Sequence, residues 1–335
     1  MKRKIALLLS FVMVLVVFAG CSLGGNKAEA VKTGLAVISS IAKSADVGEK
    51  DGLAEVDSTV VAVTVDKDGK IVNCKIDVAQ TKINFSAEGK ITTPLDTVFK
   101  AKQELGTEYG MAKSSAIGKE WNEQADAFAA YVIGKTVAEV KGIAVNEEGV
   151  ATVKELTSSV TVHVTEFTAA IEKAVGNAKE LGAKSGDKLG LGITTTIAKS
   201  TDAGEKDGLA QAYSSYTATT FAEDGKITSC IIDASQSNVN FSKEGKVTTD
   251  LKGALKTKNE LGADYGMAAK SGIKKEWNEQ AESLAKYVVG KTAAEVKGIA
   301  VNEEGVSTEK DLTSSVTIHI TDYTTIIEKA SGNAK

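Results

Sequence analysis

Apolar and polar positions fall into a short set of patterns that recur along the chain. Residues 5–18 are almost continuously apolar and follow the basic Lys2, Arg3 and Lys4. A basic start and one apolar stretch ending in small residues describe a secretory leader, not a folded element. Beyond it, Val60-Val61-Ala62-Val63-Thr64-Val65 is rich in β-branched residues and runs into Asp66-Lys67-Asp68-Gly69. This predicts a strand, a turn and a returning strand over 70–78. Residues 85–91 read as another turn. Pro94, the only proline, suits the start of a helix through Leu105, ended by Gly106. Residues 119–133 read as a longer helix stopped at Gly134. Thr136-Val137-Ala138-Glu139 spells a capping box ahead of a short helix. Residues 160–164 alternate as a strand does, and 165–175 follow as a closing helix before Gly176. Strands first and helices later predict an α+β fold, each module an antiparallel sheet packed with helices.

The pattern occurs twice. Glu120-Trp121-Asn122-Glu123-Gln124-Ala125 returns as Glu276-Trp277-Asn278-Glu279-Gln280-Ala281. Trp277, Thr317 and Cys230 each lie 156 residues after Trp121, Thr161 and Cys74, so no insertion separates the copies. A period this long means tandem domains, each able to bury its own core, rather than a solenoid. The expected layout is a signal peptide over 1–20, Cys21 with a tether over 21–30, module one over 31–179, a linker over 180–188 and module two over 189–335.

Composition narrows the partners. The formal net charge is −4, and loss of Lys2, Arg3 and Lys4 with the leader takes it to −7. Arg3 is the only arginine. An acidic chain without the guanidinium fork is a poor match for nucleic acid. Cys74 and Cys230 occupy equivalent strand positions and read as small buried hydrophobes. With no Cys-x-x-Cys and no histidine-rich cluster, the sequence offers no metal site.

Candidate chemistry gathers near the end of each module. Glu155-Leu156-Thr157-Ser158-Ser159-Val160-Thr161 and Asp311-Leu312-Thr313-Ser314-Ser315-Val316-Thr317 share the spacing acid-x-x-Ser-x-x-Thr. In the strand expected there, the valines and isoleucines face the core. Thr161, His163 and Thr165, or Thr317, His319 and Thr321, then face outward. A hydroxyl so placed is open to a modifying enzyme. Tyr109-Gly110-Met111 and Tyr265-Gly266-Met267 hold the only methionines beyond the leader. Tyr and Met can pack flat against a ring or cap the core, and both readings stay open. The paired tryptophans read as anchors between helix and sheet. No Ser-His-Asp set, catalytic carboxylate pair or P-loop stands out.

The threonine string resembles the flavinylation motif, in which an ApbE-type FMN transferase esterifies the last threonine with FMN. Glu155 stands where that motif usually has aspartate, and Ser-Val stands where Gly-Ala is common. Phe18-Ala19-Gly20-Cys21 resembles a bacterial lipobox, which implies a diacylglycerol on Cys21 and stable anchoring by acyl chains. Leader and both modules together resemble the doubly flavinylated lipoproteins of extracellular electron transfer in Gram-positive bacteria, of the peptide-pheromone-encoding type. The resemblance implies two tandem FMN-binding-type domains carrying two covalent FMN groups on Thr161 and Thr317. Rarity and spacing make Tyr109, Met111, His163, Tyr265, Met267 and His319 the candidates to contact such a cofactor. The resemblance also places the protein on the outer face of the cytoplasmic membrane. It further implies electrons arriving from a membrane NADH dehydrogenase through quinol and leaving to ferric iron or free flavins. Two other readings remain at this point: a non-redox adhesion or solute-binding lipoprotein, and a flavin-dependent reductase with a substrate of its own.

Overall fold

The computed structural model describes residues 28–335. The leader, Cys21 and the tether up to residue 27 lie outside the described residues. Module one opens with three antiparallel strands: β1 (Ala30–Ser40), β2 (Gly52–Val65) and β3 (Ile71–Phe85). Its helices follow as α1 (Lys102–Leu105), α2 (Trp121–Val132), α3 (Val137–Lys141), α4 (Lys154–Thr157) and α5 (Thr165–Gly176). β4 (Lys179–Lys184) leads into module two, where β5 (Lys188–Thr196), β6 (Gly208–Phe221) and β7 (Ile227–Phe241) repeat the sheet. The helices α6 (Lys258–Leu261), α7 (Trp277–Val288), α8 (Ala293–Lys297), α9 (Lys310–Thr313) and α10 (Thr321–Asn333) complete the chain. The strand orders are β3-β2-β1-β4 and β5-β6-β7. The α+β class with two antiparallel sheets is therefore observed.

Each sheet is covered on both faces. The alternation of β2 sends Val61, Val63 and Val65 toward its own helices, where Phe128, Phe167 and Ile171 meet them. Ala54, Val56, Val60 and Ala62 point the other way, into the sheet of module two. There Leu189, Leu191, Ile193, Tyr216 and Ala218 complete one shared cluster. Ile197, Ala210, Val239 and Phe241 complete a second. Phe85 stacks on Phe241 with ring centroids 4.2 Å apart and planes 11° from parallel. The layers run helix, sheet, sheet, helix. Each module has its own core, as expected, and half of each sheet is covered only by its sister.

Reciprocal contacts fix how the modules meet. The Asp202 carboxylate accepts from Ile91 N–H, and Asp46 accepts from Val247 N–H. Lys173 pairs with Glu260 at 2.6 Å, and Lys329 with Glu104 at 2.9 Å. Partly exposed pairs of this kind contribute ~0–1 kcal/mol each. A buried Phe or Leu contributes roughly 1.5–3 kcal/mol. Apolar burial therefore holds the modules together, and the ion pairs set their register. The closing helices also lie close against the strands. A Cβ on Gly34 would meet the Ala174 carbonyl, and one on Gly190 the Ala330 carbonyl. Only glycine permits that approach.

Three local expectations differ. The helix through 94–105 shrinks to α1, because Pro94 starts a turn closed by Thr97 N–H onto its carbonyl. Leu95 and Val98 are exposed there and leave a helix no apolar face to bury. The residues read as a linker form β4, which pairs with β1, and a turn whose Asp187 carboxylate accepts from Lys184 N–H. The stretch 160–164 is not a strand. It makes only an isolated bridge, Val150 to His163, and its backbone donors go elsewhere, as described below.

Truncation of the stacked pair tests the shared core. Phe85→Ala is expected to cost about 3–5 kcal/mol, the usual range for a buried phenylalanine. Both modules should lose stability in one urea transition, because the deleted ring belongs to both. A variant that unfolds one module while the other keeps its parent midpoint would contradict this packing.

Candidate functional site

The threonine string folds the same way in both modules, and a buried amide holds it. Gln124 on α2 is fully buried. Its Oε1 accepts from Thr161 N–H at 2.8 Å, from the Thr161 hydroxyl at 3.1 Å and from Val162 N–H at 3.2 Å. Gln280 on α7 does the same for Thr317, at 2.8 and 3.1 Å. The amide nitrogens are tied down as well. Gln124 Nε2 donates to the Lys119 carbonyl and the Ser115 hydroxyl, and lies 3.7 Å from Met111 Sδ. A side-chain oxygen thus takes the donors that a strand partner would have taken, and the segment stays irregular. The alternation of burial survives: Val316, Ile318 and Ile320 are buried, and Thr317, His319 and Thr321 are exposed.

The repeated hexapeptide acts as one unit. Glu120 accepts from Met111 N–H at 2.8 Å, and Glu276 from Met267 N–H at 2.8 Å. Trp121 meets Phe167 edge-on at 5.9 Å, and Trp277 meets Tyr323 at the same distance. The tryptophans are buried and seat α2 and α7 against the closing helices α5 and α10. Glu, Trp and Gln of one helical start thus place the methionine turn, the core and the threonine loop. The identical recurrence of this hexapeptide was the signal for Gln124 and Gln280, which motif reasoning missed.

In module two these parts surround a cleft of ≈ 410 Å³. Thr317, His319 and Met267 line it with Lys258, Tyr213 and Tyr323. Three predicted residues are therefore together. Tyr265 stands one layer back, its ring 4.5 Å from the Lys258 ammonium. In module one, Thr161 and Met111 meet through Gln124, and Tyr109 holds Lys102 at 4.7 Å. His163 bridges to Val150 through its backbone and is exposed.

Lys258 is the group that sequence reading did not reach. It is 4% exposed and lies 4.5 Å from the Tyr213 ring and 5.2 Å from the Trp277 ring. Burial pushes its ammonium down to about 8. Asp233 and Asp77 hold the short helices that carry Lys258 and Lys102. Asp233 Oδ1 accepts from Asn259 N–H at 3.1 Å, and Asp77 Oδ1 from Gln103 N–H at 2.9 Å. Burial raises these carboxyls to about 6 and about 7. Cys74 and Cys230 are buried, and desolvation pushes their thiols up to about 12 and about 11, so both are inert packing groups at neutral pH. Among the described residues no cluster of three or more His, Cys, Asp or Glu side chains is placed to hold a metal. No helix among them is long and apolar enough to cross a membrane.

Comparison with known proteins gives one partial likeness. Over 94 residues the chain is 35% identical to a chlorophenol reductase of Desulfitobacterium hafniense. The match covers 25% of this chain and 29% of that protein. No family model matches the chain, and no solved structure does.

Two outcomes check this site as built. Gln280→Ala leaves Thr317 N–H without its acceptor and is expected to cost about 1–3 kcal/mol, with faster amide exchange over 313–319. Unchanged exchange there would show that the amide is not what holds the loop. Asp77→Asn and Asp233→Asn keep the accepting oxygen and remove the charge. A carboxyl raised on folding binds its proton more tightly when folded, so it loses stability as pH climbs from about 4, its unfolded value, through the raised value. Both variants should exceed the parent in thermal midpoint at pH 8, and the gain should vanish near pH 4.

Proposed function

We propose that the chain is a membrane-anchored extracytoplasmic electron carrier with FMN esterified to Thr161 and Thr317. The observation that carries this reading is the paired loop. Each acid-x-x-Ser-x-x-Thr string turns at the same place, and each threonine hydroxyl is oriented by a fully buried glutamine. With its proton committed to Gln280, the Thr317 oxygen keeps its lone pairs free at a cleft wide enough for an aromatic ring system.

The lining fits such a group. Met267 and the tyrosines offer polarisable and aromatic walls, and Lys258 and His319 offer nitrogen donors. When bound, FMN supplies the reversible electron uptake that no side chain here provides. The chain's own part is to hold, orient and tune. An esterified Thr317 has no hydroxyl proton, so its backbone N–H remains the donor to Gln280. Permanent attachment suits a carrier outside the cell, where a dissociable cofactor is diluted away.

In this reading Cys21, at the lipobox-like end of the leader, is the lipidated residue, and the modules stand on the outer side of the membrane. In this reading an ApbE-type transferase loads the threonines, membrane NADH dehydrogenase and quinol deliver electrons, and ferric iron or free flavins receive them. The partial likeness to a protein named as a reductase supports redox chemistry in the coarser sense.

Coexpression with an FMN transferase tests the proposal. The expected product is yellow and carries two FMN adducts by intact mass. Thr161→Ala and Thr317→Ala should each remove one adduct, and the double variant both. Bare threonines in a host that loads a control acceptor would leave the non-redox, solute-binding or adhesion reading. Cys21→Ala should move the protein from the membrane fraction to the medium.

A further inference from the structure

The two modules share a scaffold and a lysine on it, Lys102 or Lys258 against Tyr and Trp rings, but differ at the two phenols beside Lys258. In module two, Lys258 Nζ donates to Tyr213 Oη at 3.0 Å, and Trp277 Nε1–H donates to Tyr323 Oη at 3.2 Å. The two phenol oxygens lie 3.0 Å apart. An ammonium and an indole can only donate. Between the two phenols one proton is shared, so the other phenol proton finds no acceptor within this chain of four residues. The cleft wall therefore carries a surplus of donors and one cation.

Module one keeps the lysine but not the phenols. Lys102 stands at the position of Lys258, Asp57 at that of Tyr213 and Phe167 at that of Tyr323. Asp57 Oδ2 accepts from Lys43, while its Oδ1 is buried with no partner. Here the surplus is an acceptor with no donor. Lys43 and Lys82 offset the charges of Asp57 and Glu55. Glu166 and Asp322 occupy equivalent places and cancel in the comparison, whereas the Tyr213–Tyr323 pair has no counterpart in module one.

Resting on the flavin reading above, we infer that the Tyr213–Tyr323 pair, with a phenol proton to spare, faces the electron-rich edge of the module-two ring, favours its reduced anion, and makes Thr317 the site of the stronger oxidant. Reduction of the ring takes up two electrons and one proton and leaves a negative charge, which the surplus phenol donor stabilises in module two. A partnerless carboxylate oxygen opposes the same change in module one. Lys102 and Lys258 are common to both modules, and the phenol pair is the tuning element on this view.

Reductive titration with dithionite, followed by visible absorbance, decides it on transferase-loaded protein. Thr161→Ala retains the module-two centre, and Thr317→Ala retains the module-one centre. The module-two centre should be easier to reduce by tenfold or more in equilibrium constant, about 30 mV for a two-electron couple. Tyr213→Phe/Tyr323→Phe in the Thr161→Ala background should erase most of that difference. Should that variant not fold, the exchange Asp57→Tyr/Phe167→Tyr in the Thr317→Ala background gives the converse arm, and module one should then become easier to reduce. Equal midpoints, or a midpoint that ignores both exchanges, overturn the inference while the adducts still stand. Absence of adducts overturns the flavin reading itself.

Discussion

A β-sheet has two faces, and the helices of one module cover only one of them. That constraint governs the rest of the molecule. β2 and β6 are buried almost end to end, which a solitary sheet-and-helix module could not achieve. The uncovered face carries Ala54, Val56, Val60 and Ala62 in module one and Ala210, Ala212, Tyr216 and Ala218 in module two. Small residues dominate it, so the sheets approach closely, and two phenylalanines close one end. The duplication is thus structural before it is functional, since each copy supplies the other's missing layer.

Much of the fold was legible because its signals are local. The β2 turn and the capping box at Thr136 follow from short strings whose physics does not depend on distant residues. The closing helix declares itself through its apolar period. What escaped depends on partners far along the chain. β4 carries glycine and lysine and reads as a tether, yet the edge of β1 offers it a ladder. Val160–Val164 shows strand alternation, but Gln124, 37 residues earlier, accepts the N–H groups that a strand would need. The alternation gave which side chains are outside in full only in module two, since Thr161 and Val162 are both half-buried, and it misgave the backbone in both.

The candidate site shows the same division. Thr161, Thr317, Met267 and His319 were found by spacing and rarity, and the fold gathers three of them at one cleft. Lys258 lay hidden among many lysines. Nothing in its neighbourhood marks it, because its character comes from burial among Tyr213, Tyr265 and Trp277, which lie on separate elements. Comparing the copies position by position would have pointed to it indirectly. Asp57 against Tyr213 and Phe167 against Tyr323 are unlike pairs within otherwise matching segments.

One short turn ties the cleft to the contact between modules. In α6 three successive residues do different jobs. Lys258 lines the cleft, Asn259 N–H is held by buried Asp233, and Glu260 pairs with Lys173 of the other module. In α1, Gln103 N–H is held by Asp77 and Glu104 pairs with Lys329, while Lys102 lies against Tyr109 and Trp121. A helix of four residues has little stability of its own. Its position must come from these anchors, one in its own sheet and one across the interface. A shift of the sister module would therefore act on Glu260 and, within one turn, on the ammonium at the cleft. The ion pair contributes little to global stability, yet it lies within one turn of the cleft. The same reasoning explains why the pair recurs in both modules although the residues beside the two lysines diverge. The docking geometry is common to both modules, and the phenol pair belongs to one.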